Sequence, residues 1–166
     1  MKVRWFGLGA KKNLNEMPIY APVDGDVVDL IKVPDPIFSQ RTLGDGFAME
    51  PTDGIIYSPV SGVVTMIAST QHAMGIRMDN GLDVMIHFGI NTYTLNGEPF
   101  HIRVQHGQTI KAGRRIATVS MSRIRAADLN EMIVVTFSNS AERAAHFDIQ
   151  YGPFLGGHRI GRVHAE

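Results

Sequence analysis

The sequence predicts an all-β protein, a sandwich or a barrel with one or two short helices. This prediction rests on a pattern that occurs twice and on strand-like segments separated by frequent tight turns. Segments 19–28 and 56–65, which begin 37 residues apart, are identical at six of ten positions. In each copy a short strand leads into a turn that proline opens and glycine closes, and a β-branched strand follows. We therefore expect two similar halves in which the chain doubles back at equivalent points.

Helix-like sequence is scarce in this chain. Residues 121–132 predict one helix, and residues 140–145 predict a second, shorter one. Many brief strands with evenly spaced turns favour a sandwich or a barrel over an α/β fold.

Composition excludes several classes of protein. The 166 residues are 44% hydrophobic and 19% charged with sixteen charges of each sign, which is typical of one globular domain without general affinity for nucleic acid. The absence of cysteine excludes disulfides, thiolate metal sites and cysteine nucleophiles. No apolar run approaches the roughly 20 residues that span a bilayer, and the N-terminus lacks a signal peptide's features, so we expect a cytoplasmic protein.

Residues 1–17 are interpreted as an N-terminal tail, and residues 18–166 as the domain. The first dozen residues combine basic and apolar side chains without an acidic one, which suits weak contact with an anionic membrane surface. The alternative is a frayed tail, because Gly7 and Gly9 disfavour a helix there. The basic and apolar residues are Lys2, Arg4, Trp5, Phe6, Leu8, Lys11 and Lys12.

Two of the seven histidines are predicted to be neighbours in space. The run Asp79-Asn80-Gly81 is a strong hairpin signal between two apolar segments. If Met78 opposes Leu82 across this turn, the register brings His72 and His87 within about one step of each other. In the second strand, alternation buries Leu82 and the residues at 84, 86 and 88, and it leaves His87 on the opposite, reachable face.

A pair of imidazoles supports more than one chemistry. A neutral ring nitrogen can act as a covalent nucleophile, and two rings can contribute to a metal site. Both histidines can also be inert structural residues, and their spacing alone does not decide among these three possibilities.

Spaced motifs resolve this ambiguity. Segments 70–76 and 85–97 hold the two histidines, and further motifs lie at 21–25, 33–38, 44–48 and 104–113. In content and order they resemble the glucose-type enzyme IIA family of the bacterial sugar phosphotransferase system, over about residues 18 to 137. The resemblance implies an antiparallel β-sandwich, or barrel-sandwich, built from a duplicated motif.

The same resemblance implies roles for individual residues. His87 matches the phosphorylated histidine, which would accept a phosphoryl group from the carrier protein HPr and pass it to a cysteine of an enzyme IIB domain. His72 matches the second active-site histidine, and Thr70 matches the hydroxyl that orients it. Neither a metal nor another cofactor is required. Apolar residues near these positions are expected to dock the partners: Ile37, Phe38, Leu43, Met85 and Tyr93.

The chain departs from the family pattern in two places. Asn91 stands where an aspartate is usual and removes a negative charge near the histidines, so we expect slower or differently pH-dependent phosphorylation. Residues from about 138 to 166 diverge from the family.

Two alternative functions remain for this chain. A regulatory binding module of the same fold without efficient phosphoryl transfer is one alternative, and Asn91 is its main support. A zinc peptidase of a related β-fold is the other, but Ile76 and Met85 stand where two of its characteristic ligand motifs need aspartate and histidine.

Overall fold

The computed structural model describes residues 15–166, so the predicted membrane contact of the N-terminal tail lies outside the described residues. Antiparallel strands dominate this range. They are β1 (Glu16–Tyr20), β2 (Gly25–Val28), β3 (Asp45–Pro51), β4 (Ile55–Tyr57), β5 (Gly62–Ile67), β6 (Ala73–Arg77), β7 (Asp83–Phe88), β8 (Phe100–Ile102), β9 (Thr109–Ile110), β10 (Arg115–Val119), β11 (Ile133–Phe137), β12 (His146–Ile149), β13 (Gly152–Phe154) and β14 (Arg159–His164).

These strands form three sheets. The largest has eight strands in the order β13-β2-β3-β11-β7-β6-β5-β9, and two three-stranded sheets have the orders β1-β14-β12 and β4-β10-β8. One face of the large sheet and residues of both small sheets together form the main hydrophobic core. The all-β prediction is therefore confirmed, and strand alternation supplies the apolar face that each sheet buries.

The two copies of the repeat contact each other reciprocally. The amide of Tyr20 donates to the carbonyl of Pro59 at 2.9 Å, and the amide of Tyr57 donates to that of Pro22 at 2.8 Å. Within each copy, however, the two strands belong to different sheets and do not pair with each other. The expected doubling back is thus a corner between sheets, because each proline-opened turn redirects the chain across the core.

The repeat gives the large sheet a pseudo-twofold axis between β7 and β11. Counted from either edge of the sheet, the second strand is a strand of the repeat. This strand is β2 beside the edge strand β13, and β5 beside the edge strand β9. Cross-strand partners can be followed from β2 and from β5 towards the axis. Residues reached after the same number of strands on the two sides are equivalent. These matched pairs are Asp26 and Val63, Glu50 and Arg77, Gly46 and Ala73, and Thr136 and His87.

A second, smaller core lies on the opposite face of the large sheet. Ala48 and Val134 point away from the main core and are covered by Leu30, Val33 and other apolar residues. This covering segment, the cover, contains a 3₁₀ turn at Leu30–Lys32 and helix α1 (Pro36–Ser39). This cover is important for the site because it reaches the position of His87.

The helices are shorter than the sequence suggests. Helix α2 (Met121–Ala126) ends well before residue 132, because Asp128 adopts the left-handed conformation with a φ of 57°. Residues 140–145 form hydrogen-bonded turns rather than a helix. Helix α1 was not predicted, although Asp35 caps it and Pro36 occupies its first turn.

The divergent C-terminal segment is part of the same fold. Its strands β12 and β14 build one small sheet with β1, and β13 pairs with β2 at the edge of the large sheet. Strand β1 starts at Glu16, within the segment interpreted as a tail. No helix in the described part of the chain is long and apolar enough to cross a membrane.

Candidate functional site

The hairpin of β6 and β7 brings the two histidines together as predicted. Ala73 pairs with His87, and the amide of Phe88 donates to the carbonyl of His72 at 2.8 Å. The turn is fixed by the side chain of Asn80, whose oxygen accepts a hydrogen bond from the amide of Leu82. His72 and His87 are therefore near neighbours across the hairpin.

Alternation along β7 places His87 on the outer face. Every second residue of the strand is buried in the main core, whereas Asp83, Met85 and His87 are half-buried. Gly89 follows with a φ of +82°, a conformation that glycine adopts without strain, and turns the chain away from the sheet. His87 thus lies on the face opposite the main core, as alternation predicts, but it is half-buried there because part of that face is covered.

The ring of His87 lies between an aromatic side chain and a hydroxyl. The ring of Phe38 meets it edge-on with 4.8 Å between centroids, and Thr136 Oγ1 lies 3.4 Å from Nε2. Beside the ring is an open pocket of about 360 Å³ lined by Thr42, Leu43, Met85, His87, Thr136 and Ser138. A small anion can therefore approach His87 from the surface.

His72 is held by a hydrogen bond to Thr70. Thr70 Oγ1 and His72 Nδ1 lie 2.5 Å apart, so this contact fixes the ring and leaves Nε2 as the nitrogen for other partners. The ring of Tyr93 lies 6.0 Å from that of His72. The structure thus brings Thr70, His72 and His87 into one site.

Asn91 follows His87 by four positions, at the start of the segment that carries Tyr93. It is exposed, it begins the 3₁₀ turn Thr92–Leu95, and its φ of 59° is left-handed, a conformation in which asparagine is favoured. Its side chain makes no capping hydrogen bond to that turn. Its backbone carbonyl accepts a hydrogen bond from the hydroxyl of Thr94.

The five residues expected to dock partners differ in exposure. Ile37 is 41% exposed and Tyr93 is 54% exposed, whereas Leu43 and Met85 are half-buried and line the pocket beside His87. Phe38 is only 7% exposed, because it packs in the smaller core and against the ring of His87. Phe38 therefore contributes to the site through its contact with His87 and not as an exposed docking residue.

The loop that carries Phe38 is fixed by an ionic network. The guanidinium of Arg41 donates to Asp29 and to Asp45, each at 3.0 Å, and the hydroxyl of Tyr151 donates to Asp29 at 3.0 Å. Because Tyr151 belongs to the divergent C-terminal segment, that segment helps to hold the cover over the site.

Electrostatics keep both histidines neutral at pH 7. Burial, and secondly the neighbouring His72, lower the pKa of His87 from 6.5 to about 4. Burial also lowers the pKa of His72. Neutral imidazole has a free lone pair and can act as a nucleophile.

The low pKa of His87 predicts an acid-dependent loss of stability. Because the folded value of about 4 lies below the usual 6.5, neutral His87 favours the folded state fully above pH 6.5, and this contribution disappears as the pH falls to about 4. It amounts to as much as roughly 3 kcal/mol. We expect His87→Gln to lose less unfolding free energy in urea between pH 7 and pH 4 than the native chain. An NMR titration midpoint of His87 near 6.5 would contradict this.

Sequence reasoning missed Thr136 as a residue of the site. It lies on β11, opposite Met85, and its hydroxyl reaches the ring from the neighbouring strand. The only signal in the sequence is a polar threonine within an apolar run, which by itself gives no reason to link it to a histidine 49 residues away.

A duplicated antiparallel β-fold with two neighbouring neutral histidines beside an open pocket is the arrangement that a phosphoryl carrier needs. The family model described as phosphoenolpyruvate-dependent sugar phosphotransferase system, EIIA 1, matches residues 17–143, and the chain therefore belongs to this family. The expected resemblance to glucose-type enzyme IIA is confirmed.

Named relatives agree with this assignment. The chain is 41% identical to the PTS system glucose-specific EIIA component of Bacillus cereus, over 82% of this chain and 83% of that protein. It is 46% identical to the PTS system glucose-specific EIICBA component of Streptococcus pneumoniae over 77% of this chain, but it spans only 18% of that protein. The solved glucose permease IIA from Mycoplasma capricolum superposes with a TM-score of 0.77 at 29% identity, covering 89% of this chain and 95% of that one.

Proposed function

We propose that this chain is a phosphocarrier in which His87 accepts a phosphoryl group from phospho-HPr and transfers it to a cysteine of an enzyme IIB domain during sugar uptake. The observation that carries the proposal is a neutral, half-buried histidine that lies next to a second neutral histidine and opens onto a surface pocket. We place this exchange in the cytoplasm.

The transfer requires little more than positioning. A ring nitrogen of His87 attacks phosphorus, its new N–P bond forms as the donor's N–P bond breaks, and the bonding pair returns to the donor imidazole. In such a loose transition state, the protein contributes by orienting the nucleophile and by balancing charge on the three equatorial oxygens. The cover residue Phe38 restricts the ring of His87 from one side and so supports this orientation.

His72 is the proposed partner of the phosphoryl group. With Nδ1 held by Thr70, its Nε2 is available to interact with phosphoryl oxygens on the neighbouring ring. Both histidines start neutral, so the site does not begin with a positive charge that would retain the phosphoryl group. This suits a carrier that must release what it has accepted.

The docking surface is the apolar rim formed by Ile37, Leu43, Met85 and Tyr93, and the buried Phe38 supports this rim through its contact with His87. The exposed members, Ile37 and Tyr93, flank the site, and the half-buried ones line its pocket. A modest apolar patch suits transient contacts with HPr and then with enzyme IIB. The Streptococcus pneumoniae relative is an EIICBA component, which supports enzyme IIB as the acceptor.

The proposal is tested by incubating the purified chain with phosphoenolpyruvate, enzyme I and HPr. We expect incorporation of phosphate that is labile in acid and stable in base, as expected for phosphohistidine. A chain that binds HPr without gaining phosphate would instead be a regulatory module, the alternative to which Asn91 points.

Substitution of His72 should separate the two half-reactions. We expect His72→Ala to gain phosphate from phospho-HPr but to pass it to an enzyme IIB domain at least about tenfold more slowly, because a hydrogen bond to a charged group is lost. Single-turnover transfer in each direction measures this difference. The exposed His106→Ala is the matched control and should behave as native. Equal slowing of both half-reactions would contradict the assigned role.

A further inference from the structure

We propose that the hydroxyl of Thr136 is a catalytic group of this site: it donates to Nε2 of resting His87 and then to a phosphoryl oxygen once Nε2 has bonded to phosphorus. The inference rests on the phosphocarrier function proposed above and adds a specific donor to it. No feature of the family resemblance assigned a role to this residue.

The position of Thr136 is unusual for a strand hydroxyl. The residue is 1% exposed, and its Oγ1 lies 3.4 Å from Nε2 of His87. Within residues 15–166, this nitrogen is the hydrogen-bond partner that the structure gives to the hydroxyl. A buried hydroxyl is costly without a partner, so the contact with His87 is favoured in the resting site.

The contact with Thr136 selects one of the two tautomers of the neutral His87 ring. A hydroxyl that donates to Nε2 needs a lone pair there, which leaves the ring proton on Nδ1. Thr136 and His87 both line the same open pocket, so the nitrogen with the lone pair is the one that an incoming phosphoryl group can reach. Thr136 therefore prepares Nε2 as the nucleophile.

Register places Thr136 and His72 on opposite sides of His87. Along the strand direction, Thr136 lies level with Met85, and His72 lies level with Phe88. A phosphoryl group on His87 thus has one potential donor on each side. Charge that spreads over the equatorial oxygens is balanced best by donors that approach from different directions.

The hydroxyl of Thr136 can change its hydrogen-bond partner from Nε2 to a phosphoryl oxygen without an additional reagent. When Nε2 forms its bond to phosphorus, its lone pair is consumed and it can no longer accept the hydroxyl proton. The hydroxyl rotates about its C–O bond and donates to a phosphoryl oxygen, and it donates again to Nε2 after the group has left. No proton is transferred from Thr136 at any stage.

The test compares Thr136→Val, which keeps the shape and removes the hydroxyl, with Thr136→Ser, which keeps the hydroxyl. We expect phosphate uptake from phospho-HPr to slow between about tenfold and a hundredfold in Thr136→Val, and to recover to within a few-fold of native in Thr136→Ser. Thr118→Val, on β10 in a different sheet, is the matched control. If Thr136→Val does not fold by circular dichroism, Thr136→Ala replaces it.

A second measurement does not depend on activity. Nitrogen-15 NMR of His87 at pH 7 should show the proton on Nδ1 in the native chain. In Thr136→Val it should show a mixture of the tautomers protonated on Nδ1 and on Nε2. Native rates in Thr136→Val, slow transfer that serine does not rescue, or a native ring protonated on Nε2 would each overturn the inference. If native chain gains no phosphate, the proposed function fails, whereas the NMR result still decides the contact itself.

Discussion

Replacing His87 with glutamine should abolish phosphate uptake from phospho-HPr. Glutamine is neutral and similar in reach, so it retains much of the packing against Phe38, but its amide nitrogen has no lone pair available for attack on phosphorus. We expect uptake to fall by more than about a thousandfold, since the group that forms the new bond is gone. Gel separation of labelled protein after incubation with phosphoenolpyruvate, enzyme I and HPr measures this.

The control is an exposed histidine outside the site. His106→Gln should be labelled at the native rate, which excludes a general effect of histidine replacement. Unfolding in urea at pH 7 shows whether the variant remains folded. Label that persists in folded His87→Gln would mean that a different residue accepts the phosphate.

Truncating Phe88 to alanine should cause the largest loss of stability from a single side chain near the site. Phe88 follows His87 directly but points to the other face, where it is fully buried and packs 6.0 Å from the ring of Phe100. Removing its ring eliminates apolar contacts and leaves a cavity, so we expect a loss of about 3–5 kcal/mol in the free energy of unfolding. Urea denaturation followed by circular dichroism measures it.

Met85→Ala is the matched control for this prediction. It lies on the same strand β7 but on the outer, half-buried face, so its loss should be less than half as large. If both variants lose similar stability, the main core does not lie on the face that alternation along β7 indicates. A shallower unfolding transition would instead show that Phe88→Ala changes the cooperativity of the fold.

Local patterns in the sequence predict much of this fold. The repeat, the hairpin register of β6 and β7, and the buried face of β7 all follow from spacing, because alternation and turn chemistry act over a few residues. What spacing could not show is that the two strands of each repeat belong to different sheets. That arrangement depends on pairing between distant segments, such as β1 with β14.

The length predicted for helix α2 was wrong because, here too, pairing between distant segments determines the structure. Its sequence favours helix beyond Ala126, but the chain must turn at Asp128 to enter β11, which pairs on both sides within the large sheet. The pairing of a central strand outweighs the weak helical preference of a few residues.

The proximity of the two histidines was predictable because both lie on one hairpin. His72 and His87 could be brought together by counting across a turn, and Thr70 then follows from the family resemblance. Thr136 and Phe38 reach His87 from elements far away in sequence. Their contacts depend on how strands and cover pack, which no local pattern encodes.

The pseudo-twofold axis also explains why a duplicated fold forms one shared pocket beside His87. The duplicated halves place His87 and Thr136 at equivalent positions, and these positions meet side by side on the axis instead of lying at opposite ends of the molecule. Both face one shared pocket of about 360 Å³. Doubling the structural unit has therefore not doubled the site: the two halves contribute to one pocket, and under the proposed function one half offers the acceptor and the other half offers a donor.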